Sequence, residues 1–135
     1  KELDGVVRPS KVIILPGCIF RQNNPAVVGV RVLEGTLKND SPLMKENGDK
    51  VSYIKSMQYE TENIKCAEKN KEVALSIPSI TIGRQIDEET ILYTDIPESD
   101  FIKLKKLKKH LSPAEIELLK EIAEIQRKKN PLWGI

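Results

Sequence analysis

The side chains that could act as nucleophiles or metal ligands are few and widely spaced. The 135-residue chain has two cysteines, Cys18 and Cys66, and one histidine, His110. These three side chains cannot supply the four ligands of a structural zinc site. No histidine is near either cysteine in the sequence, and Cys18 falls in an apolar segment, which favours an inert thiol over a reactive one. The sequence therefore predicts no catalytic residue and no metal site.

Phosphate-binding loops are also missing from the sequence. It contains neither GxxxxGK[ST] nor a strand followed by GxGxxG. The consecutive acids at residues 87–89 are expected to be solvated in a turn rather than to work as paired carboxylates. We therefore predict that this chain is not an enzyme.

Basic side chains are the remaining candidates, because they could bind phosphate. The net charge is only +2, but residues 97–135 carry nine Lys or Arg against six Asp or Glu, so the basic excess lies there. The lysine run before His110 is interpreted equally well as an RNA contact or as the wet side of an amphipathic helix. The candidate contacts to an RNA backbone are Arg21, Arg31, Lys103, Lys106 and His110.

The elements that must position these groups begin with two strands at residues 15–40, joined by a polar turn. Within the second strand, hydrophobic residues recur with a period of two, which is typical of a half-buried strand. The pattern places Ala26, Val28, Val30 and Val32 on one face of this strand and Val27, Gly29, Arg31 and Leu33 on the other. Further strands are expected at residues 42–45, 50–58, 72–77, 81–86 and 91–96, with Asn47-Gly48 as a hairpin turn. This succession predicts a closed antiparallel β-barrel at residues 11–96, after a lead-in at residues 1–10 from an upstream linker helix.

The hydrophobic period changes at Pro97, where helices begin. Ser112, Pro113 and Glu115 form the pattern of an N-cap, a first-turn proline and a capping box, so a second helix is expected from there to about Lys129. Trp133 is expected to anchor the chain end on the fold. We therefore predict a mainly β fold with a C-terminal helical hairpin at residues 97–135, packed on the barrel.

From Pro16 onward the sequence resembles a known family. The pattern GVRVLEGTLKND is similar to the second-domain β-barrel of elongation factor Tu, which translational GTPases share. Four segments resemble the C-terminal domain, domain IV, of archaeal translation initiation factor 5B, a relative of bacterial initiation factor 2. They are LPGCIFRQNNPAVVGVRVLEGTLK, EVALSI, TIGRQIDEETILYTDIP and LSPAEIELLKEIAEIQRKKNPLWGI. The resemblance covers nearly all of residues 8–135.

This resemblance implies a cytoplasmic domain of a GTPase that promotes joining of the ribosomal subunits. GTP and Mg²⁺ would bind a separate domain of the parent, leaving this fragment without a cofactor. The implied partners are initiator methionyl-tRNA, through its aminoacyl acceptor end, and the ribosome. The alternative is a docking module that mainly binds initiation factor 1A. No membrane contact is expected, because no apolar run approaches the roughly 20 residues of a membrane span, and we expect the fragment to be monomeric.

The resemblance also assigns residues to a pocket for the aminoacyl end. Cys18 carries over from a Pro-Gly-Cys motif, and Glu72 from a Glu-Cys-Gly motif of the bacterial relatives. Val73 and Ala74 occupy the other two positions of that second motif and depart from it, in keeping with an initiator that has no formyl group. The candidates for docking a partner factor are Leu118, Ile125 and Trp133.

Overall fold

The computed structural model describes residues 7–23, 25–84 and 86–135. Residues 1–6 of the expected lead-in, and Asn24 of the first polar turn, lie outside the described residues. The described part of the chain forms ten β-strands followed by two α-helices. The strands are β1 Ser10–Arg21, β2 Ala26–Gly35, β3 Leu37–Lys38, β4 Pro42–Lys45, β5 Lys50–Tyr53, β6 Ser56–Tyr59, β7 Glu62–Ile64, β8 Cys66–Ala67, β9 Glu72–Ile77 and β10 Ile91–Thr94. The helices are α1 Glu98–Lys106 and α2 Pro113–Arg127, with a 3₁₀ turn at Lys108–His110 between them.

Eight strands form one antiparallel sheet in the order β5-β4-β10-β1-β2-β9-β6-β7, and β3 pairs with β8 in a separate ribbon. The two outermost strands, β5 and β7, do not pair with each other within the described ranges. The prediction of a closed barrel is therefore wrong, and the sheet is a curled half-barrel. The mainly β class with two C-terminal helices is confirmed.

The sheet stays open because the segment expected to be one strand at residues 50–58 divides in two. β5 pairs with β4 at one end of the sheet, whereas β6 pairs with β9 near the other end. The β3–β8 ribbon is tied to both edges: Asp40 N donates to Ile54 O at 2.8 Å after β5, and Asn39 N donates to Lys65 O at 3.0 Å after β7. The ribbon thus spans the gap that direct pairing would have closed. In the segment at residues 81–86, also expected to be extended, the described residues form only an isolated bridge between Ile82 and Ile86, and Gln85 lies outside the described residues.

The inner face of the sheet buries the first hydrophobic core. The four side chains of β2 that were expected to share one face are fully buried: Ala26, Val28, Val30 and Val32. On β9 the same period buries Val73, Leu75 and Ile77. The intervening residues of these strands therefore lie on the outer face, which is where the candidate site forms.

The two helices cover part of that outer face and enclose a second core. Met44 of β4 and Tyr93 of β10 pair across the sheet and are buried against both helices. The Ser112 side chain accepts a hydrogen bond from Glu115 N, and the Glu115 side chain accepts one from Ser112 N, so the predicted capping box is formed. At the chain end, the Trp133 ring packs on Phe101 with centroids 4.6 Å apart. Trp133 thus anchors the terminus on the fold.

A polar cluster joins β1, β10 and α2 beside this core. Tyr93 Oη donates to Glu121 Oε1 at 3.0 Å, and Lys11 Nζ donates to the same oxygen at 3.3 Å. Burial raises the pKa of Tyr93, and the hydrogen bond to Glu121 raises it further. Burial alone would lower the pKa of Lys11, but its contacts with Tyr93 and Glu121 outweigh that effect and the pKa rises.

Candidate functional site

The part of the outer face that the helices leave open contains a cavity of about 500 Å³. β1, β2, β9 and β6 supply its walls, and the turn after β6 closes one side. It brings together all four residues assigned to the pocket by resemblance, although the Val73 side chain points into the first core and is only 4% exposed. The lining residues are Leu15, Cys18, Phe20, Val27, Gly29, Gln58, Glu60, Thr61, Glu72, Val73 and Ala74.

Two small residues form the floor of the cavity. Gly29 and Ala74 are cross-strand partners on β2 and β9. A Cβ added to Gly29 would be 2.8 Å from the Cβ of Cys18, closer than such atoms approach, so only glycine lets β1 pass at this distance. The depth of the cavity thus depends on a missing side chain at Gly29 and a short one at Ala74.

A β-bulge places Cys18 over that floor. The register of β1 against β2 shifts between Ile14 and Ile19, around Pro16 and Gly17. Gly17 has a positive φ of 75°, and its N–H donates to the Glu88 side chain at 2.7 Å. The acid expected to be merely solvated therefore holds the bulge in place.

Phe20 is an exposed aromatic at the rim, with 65% of its surface accessible. Its ring edge lies 3.6 Å from the position that a Gly29 Cβ would take. The opposite rim is the turn at Glu60 and Thr61, both of which have positive φ values. Sequence reasoning missed Phe20, Gln58 and this turn as site residues. The glycine within the valine-rich β2 was the available signal, since a glycine inside a strand marks close approach of another group.

At one wall of the cavity, Glu72 pairs with Arg31. The two residues are register partners on β9 and β2. Arg31 Nε donates to Glu72 Oε2 at 3.0 Å, and Arg31 Nη2 donates to the same oxygen. Both side chains are about half exposed, so this pair adds less than about 1 kcal/mol to stability. The main effect of the ion pair is to hold the Glu72 carboxylate at the cavity wall.

A second, more polar cavity of about 540 Å³ adjoins the first. It is lined by Tyr59 and by residues 68–72, so Glu72 borders both cavities. Lys71 Nζ lies 4.9 Å above the centre of the Tyr59 ring, and Lys69 pairs with Glu34 at 3.4 Å. Two of the predicted phosphate contacts lie on the sheet. Arg31 is at the wall of the first cavity, paired with Glu72, and Arg21 is at the end of β1, where its Nε donates to Asn23 O at 3.0 Å.

The other predicted phosphate contacts are on the helices and do not line either cavity. Lys103 and Lys106 are exposed on α1, and His110 is exposed in the 3₁₀ turn. A third cavity of about 400 Å³ lies between α1 and α2. Phe101, Ile116, Leu119 and Ala123 form its apolar floor, and its charged rim is Lys105, Lys108, Lys120, Glu124 and Arg127.

The three docking candidates do not face this groove. Leu118, Ile125 and Trp133 are 1%, 6% and 8% exposed and belong to the second core. A partner in the groove would therefore contact other side chains. Among the described residues, no group of three or more His, Cys, Asp or Glu could hold a metal ion, and no helix there is long and apolar enough to cross a membrane.

Comparison with known proteins matches residues 8–93 to the family described as elongation factor Tu domain 4. The chain is 50% identical over 137 residues to the "Probable translation initiation factor IF-2" of Methanopyrus kandleri, covering 100% of this chain and 23% of that protein. The protein of the same name from Methanospirillum hungatei is 45% identical, with 99% and 22% covered. The chain therefore spans less than a quarter of the length of these relatives.

Solved structures give the same result. The crystal structure of GDP-bound aIF5B from Aeropyrum pernix superposes with a TM-score of 0.92 at 36% identity, over 98% of this chain and 22% of that one. A bacterial selenocysteine-specific elongation factor, EF-Sec, superposes over 71% of this chain and 16% of its own, with a TM-score of 0.54 at 18% identity. That second likeness concerns the fold alone.

Proposed function

This chain belongs to the elongation factor Tu domain 4 family, as a domain of the archaeal IF-2/aIF5B type, and we propose that its outer-face cavity binds the aminoacyl acceptor end of initiator methionyl-tRNA. Through this contact the parent protein supports ribosomal subunit joining in the cytoplasm. The domain itself acts without catalysis and as a monomer, and GTP and Mg²⁺ bind elsewhere in the parent.

One observation carries the proposal: Cys18, Glu72 and Ala74, which are distant in sequence, border one cavity. Its volume of about 500 Å³ is within the range of about 300–1,000 Å³ that is typical of small-molecule sites. The floor at Gly29 and Ala74 is apolar and uncharged, which suits the side chain of methionine. An exposed aromatic rim at Phe20 suits stacking of a nucleobase.

The expected preference for the methionylated RNA follows from burial of the methionine side chain. Covering a methionine side chain fully stabilises a complex by about 1.5–3 kcal/mol. A partly open cavity recovers only part of this, so methionylation should tighten binding by about tenfold. Phosphates of the acceptor strand would meet Lys69 and Lys71 in the neighbouring cavity, which the carboxylates of Glu68 and Glu72 also line, so this contribution should be small and should weaken as salt rises.

The test compares binding of one acceptor-stem RNA in methionylated and uncharged forms. Ala74→Leu should fill the floor and remove the preference for the methionylated RNA, while binding of the uncharged RNA changes little. Ala114→Leu is the matched control, because Ala114 is exposed in the first turn of α2, away from the cavity. Equal binding of both RNAs to the unmodified domain would refute the proposal.

The groove between α1 and α2 favours a second candidate function, docking of initiation factor 1A. Four cations and one carboxylate surround its apolar floor, which is complementary to an acidic segment with apolar anchors. If docking is the main function, factor 1A should shift the amide resonances of both helices while methionyl-RNA shifts none. Lys120→Glu should then weaken factor 1A binding and leave RNA binding unchanged.

A further inference from the structure

The helical region carries most of its positive charge in one short run. Residues 101–114 contain five lysines and one histidine, and no Asp or Glu. α2, by contrast, mixes acids and bases along its length. One sign of charge is therefore concentrated on α1 and on the 3₁₀ turn that follows it. All five lysines of the run are exposed: Lys103, Lys105, Lys106, Lys108 and Lys109.

The acids of α1 do not neutralise this run, because they bond to backbone groups. Glu98 Oε2 accepts a hydrogen bond from Gly134 N at 2.8 Å. Asp100 Oδ2 accepts one from Val7 N at 2.9 Å. In the part of the chain that the structure describes, no carboxylate pairs with any of the five lysines. Their positive potential therefore reaches the solvent.

The five lysines fall into two rows. Lys105 and Lys108 are on the rim of the groove between α1 and α2, whereas the other three do not line it. Lys103, Lys106 and Lys109 recur at every third position, and residues three apart lie on one side of an α-helix or a 3₁₀ turn. We call these three residues the lysine strip. Neighbouring members are about 5–6 Å apart at Cβ, so one nucleic-acid strand can contact all three in succession.

The lysine run has a cost for the helix that carries it. α1 has only nine residues, and like charges three or four positions apart on a helix repel each other. The negative end of the helix dipole offsets this repulsion only within the last turn. Solubility would be served as well by mixed charges. An unneutralised row of cations that weakens its own helix is therefore better explained by a polyanionic partner than by solvation.

We propose that the lysine strip binds the backbone of duplex RNA, without sequence preference. RNA is the expected polyanion, because the chain belongs to a family of translation factors. Lysine binds phosphate as a point charge. Unpaired bases would need an aromatic side chain for stacking, and Phe101, the aromatic residue of α1, is only 5% exposed. The strip shares no residue with the outer-face cavity, so this inference does not depend on the proposed function.

The experiment measures binding of a blunt RNA duplex of about one helical turn, which has no acceptor end, between about 50 and 200 mM salt. Replacing all three strip lysines by glutamine should weaken binding at the lower salt by about tenfold or more. The slope of log K against log salt should fall in magnitude by about two to three, because three phosphate contacts are lost. The substitutions are Lys103→Gln, Lys106→Gln and Lys109→Gln.

Two further variants control for net charge and for folding. Arginine at the three strip positions keeps the charge and should keep duplex binding. A matched glutamine variant removes three exposed lysines from the β-rich part of the chain and should bind the duplex as the unmodified domain does. Its substitutions are Lys38→Gln, Lys55→Gln and Lys65→Gln. In urea titrations the strip glutamine variant should be at least as stable as the unmodified domain, since like-charge repulsion in α1 is relieved.

Several results would overturn the inference. Unchanged duplex binding in the strip glutamine variant, or an equal loss in the matched variant, would show that the strip is not the site. Equally tight binding of single-stranded RNA, or of polyglutamate of the same charge, would show that the partner is not duplex RNA. A strip variant that is less stable than the unmodified domain would show that the lysines serve the fold. The preference for methionylated over uncharged acceptor-stem RNA should survive the strip substitutions, and its loss would show that the two surfaces are not separate.

Discussion

Gly29→Ala tests the geometry of the cavity floor most sharply. The added Cβ would be 2.8 Å from Cys18 Cβ, below the separation that real Cβ atoms show. The neighbouring atom is attached directly to the backbone of β1, so a side-chain rotation cannot relieve the contact. The β1 strand must move away from β2, or the bulge at Gly17 must change.

Two opposing effects set the change in stability that Gly29→Ala should cause. Overpacking a close contact costs about 1–3 kcal/mol. Replacing glycine by alanine inside a strand raises stability by about 0.5–1 kcal/mol. This gain applies here because the φ of Gly29 lies outside the left-handed region. The net expectation is a loss of about 1 kcal/mol, which lowers Tm by about 3–5 °C for a chain of this size.

A double-mutant cycle identifies the cause. Cys18→Gly removes the clashing Cβ, so Gly29→Ala should become neutral or stabilising in that background. Cys18→Ala retains the Cβ and should give no rescue. Thermal unfolding of the three single variants, the two double variants and the unmodified chain measures each step. If Gly29→Ala stabilises the unmodified chain, or if Cys18→Ala rescues as well as Cys18→Gly, the close approach of β1 and β2 at this floor is refuted.

Three other predictions concern the helices and their contact with the sheet. Trp133→Ala should lower the free energy of unfolding by about 3 kcal/mol in urea titrations, because the ring is only 8% exposed. Leu132→Ala, at a residue that is 72% exposed, should change it by less than about 0.5 kcal/mol, and similar losses would contradict the anchoring role. Ser112→Ala should cost about 1 kcal/mol by removing the cap of α2, with Ser112→Thr retaining most of it; equal losses would exclude the cap. Burial, and then Glu121, raises the pKa of Tyr93 in the folded state, so its contribution to stability is complete below the ordinary pKa of 10.0 and is lost as pH rises through the folded value. Tyr93→Phe should flatten this alkaline decline in unfolding free energy, and an unchanged slope would contradict the assignment.

Local signals in the sequence predicted the elements whose contacts are local. The period of two in β2 and β9 identified which of their side chains share a face, and Ser112 with Glu115 identified the residue at which α2 starts. The division at Ile54 between β5 and β6 was missed, since residues 50–58 read as one strand. That division depends on strand partners that are far along the chain. The same distant pairings determine that the edge of the sheet stays open.

The candidate site likewise combines residues that the sequence could identify with residues that only the fold brings together. The resemblance identified Cys18, Glu72 and Ala74, but it could not supply Phe20, which meets them only because a bulge and three strand pairings bring it there. The predicted docking residues were chosen from an apolar helical stripe, which does not distinguish a stripe that packs on the sheet from one that awaits a partner. Burial of Leu118 resolves this, because its side chain approaches Gly35 at the end of β2.

The proposed function requires the outer-face cavity to hold the aminoacyl end of the RNA. The most direct measurement is a map of amide chemical shifts with methionylated acceptor-stem RNA, from which the shifts caused by the uncharged RNA are subtracted. We expect the remaining differences to centre on Cys18, Gly29 and Ala74, with smaller effects at Glu60 and Glu72. Differences confined to α1 and α2, or no difference between the two RNAs, would contradict it.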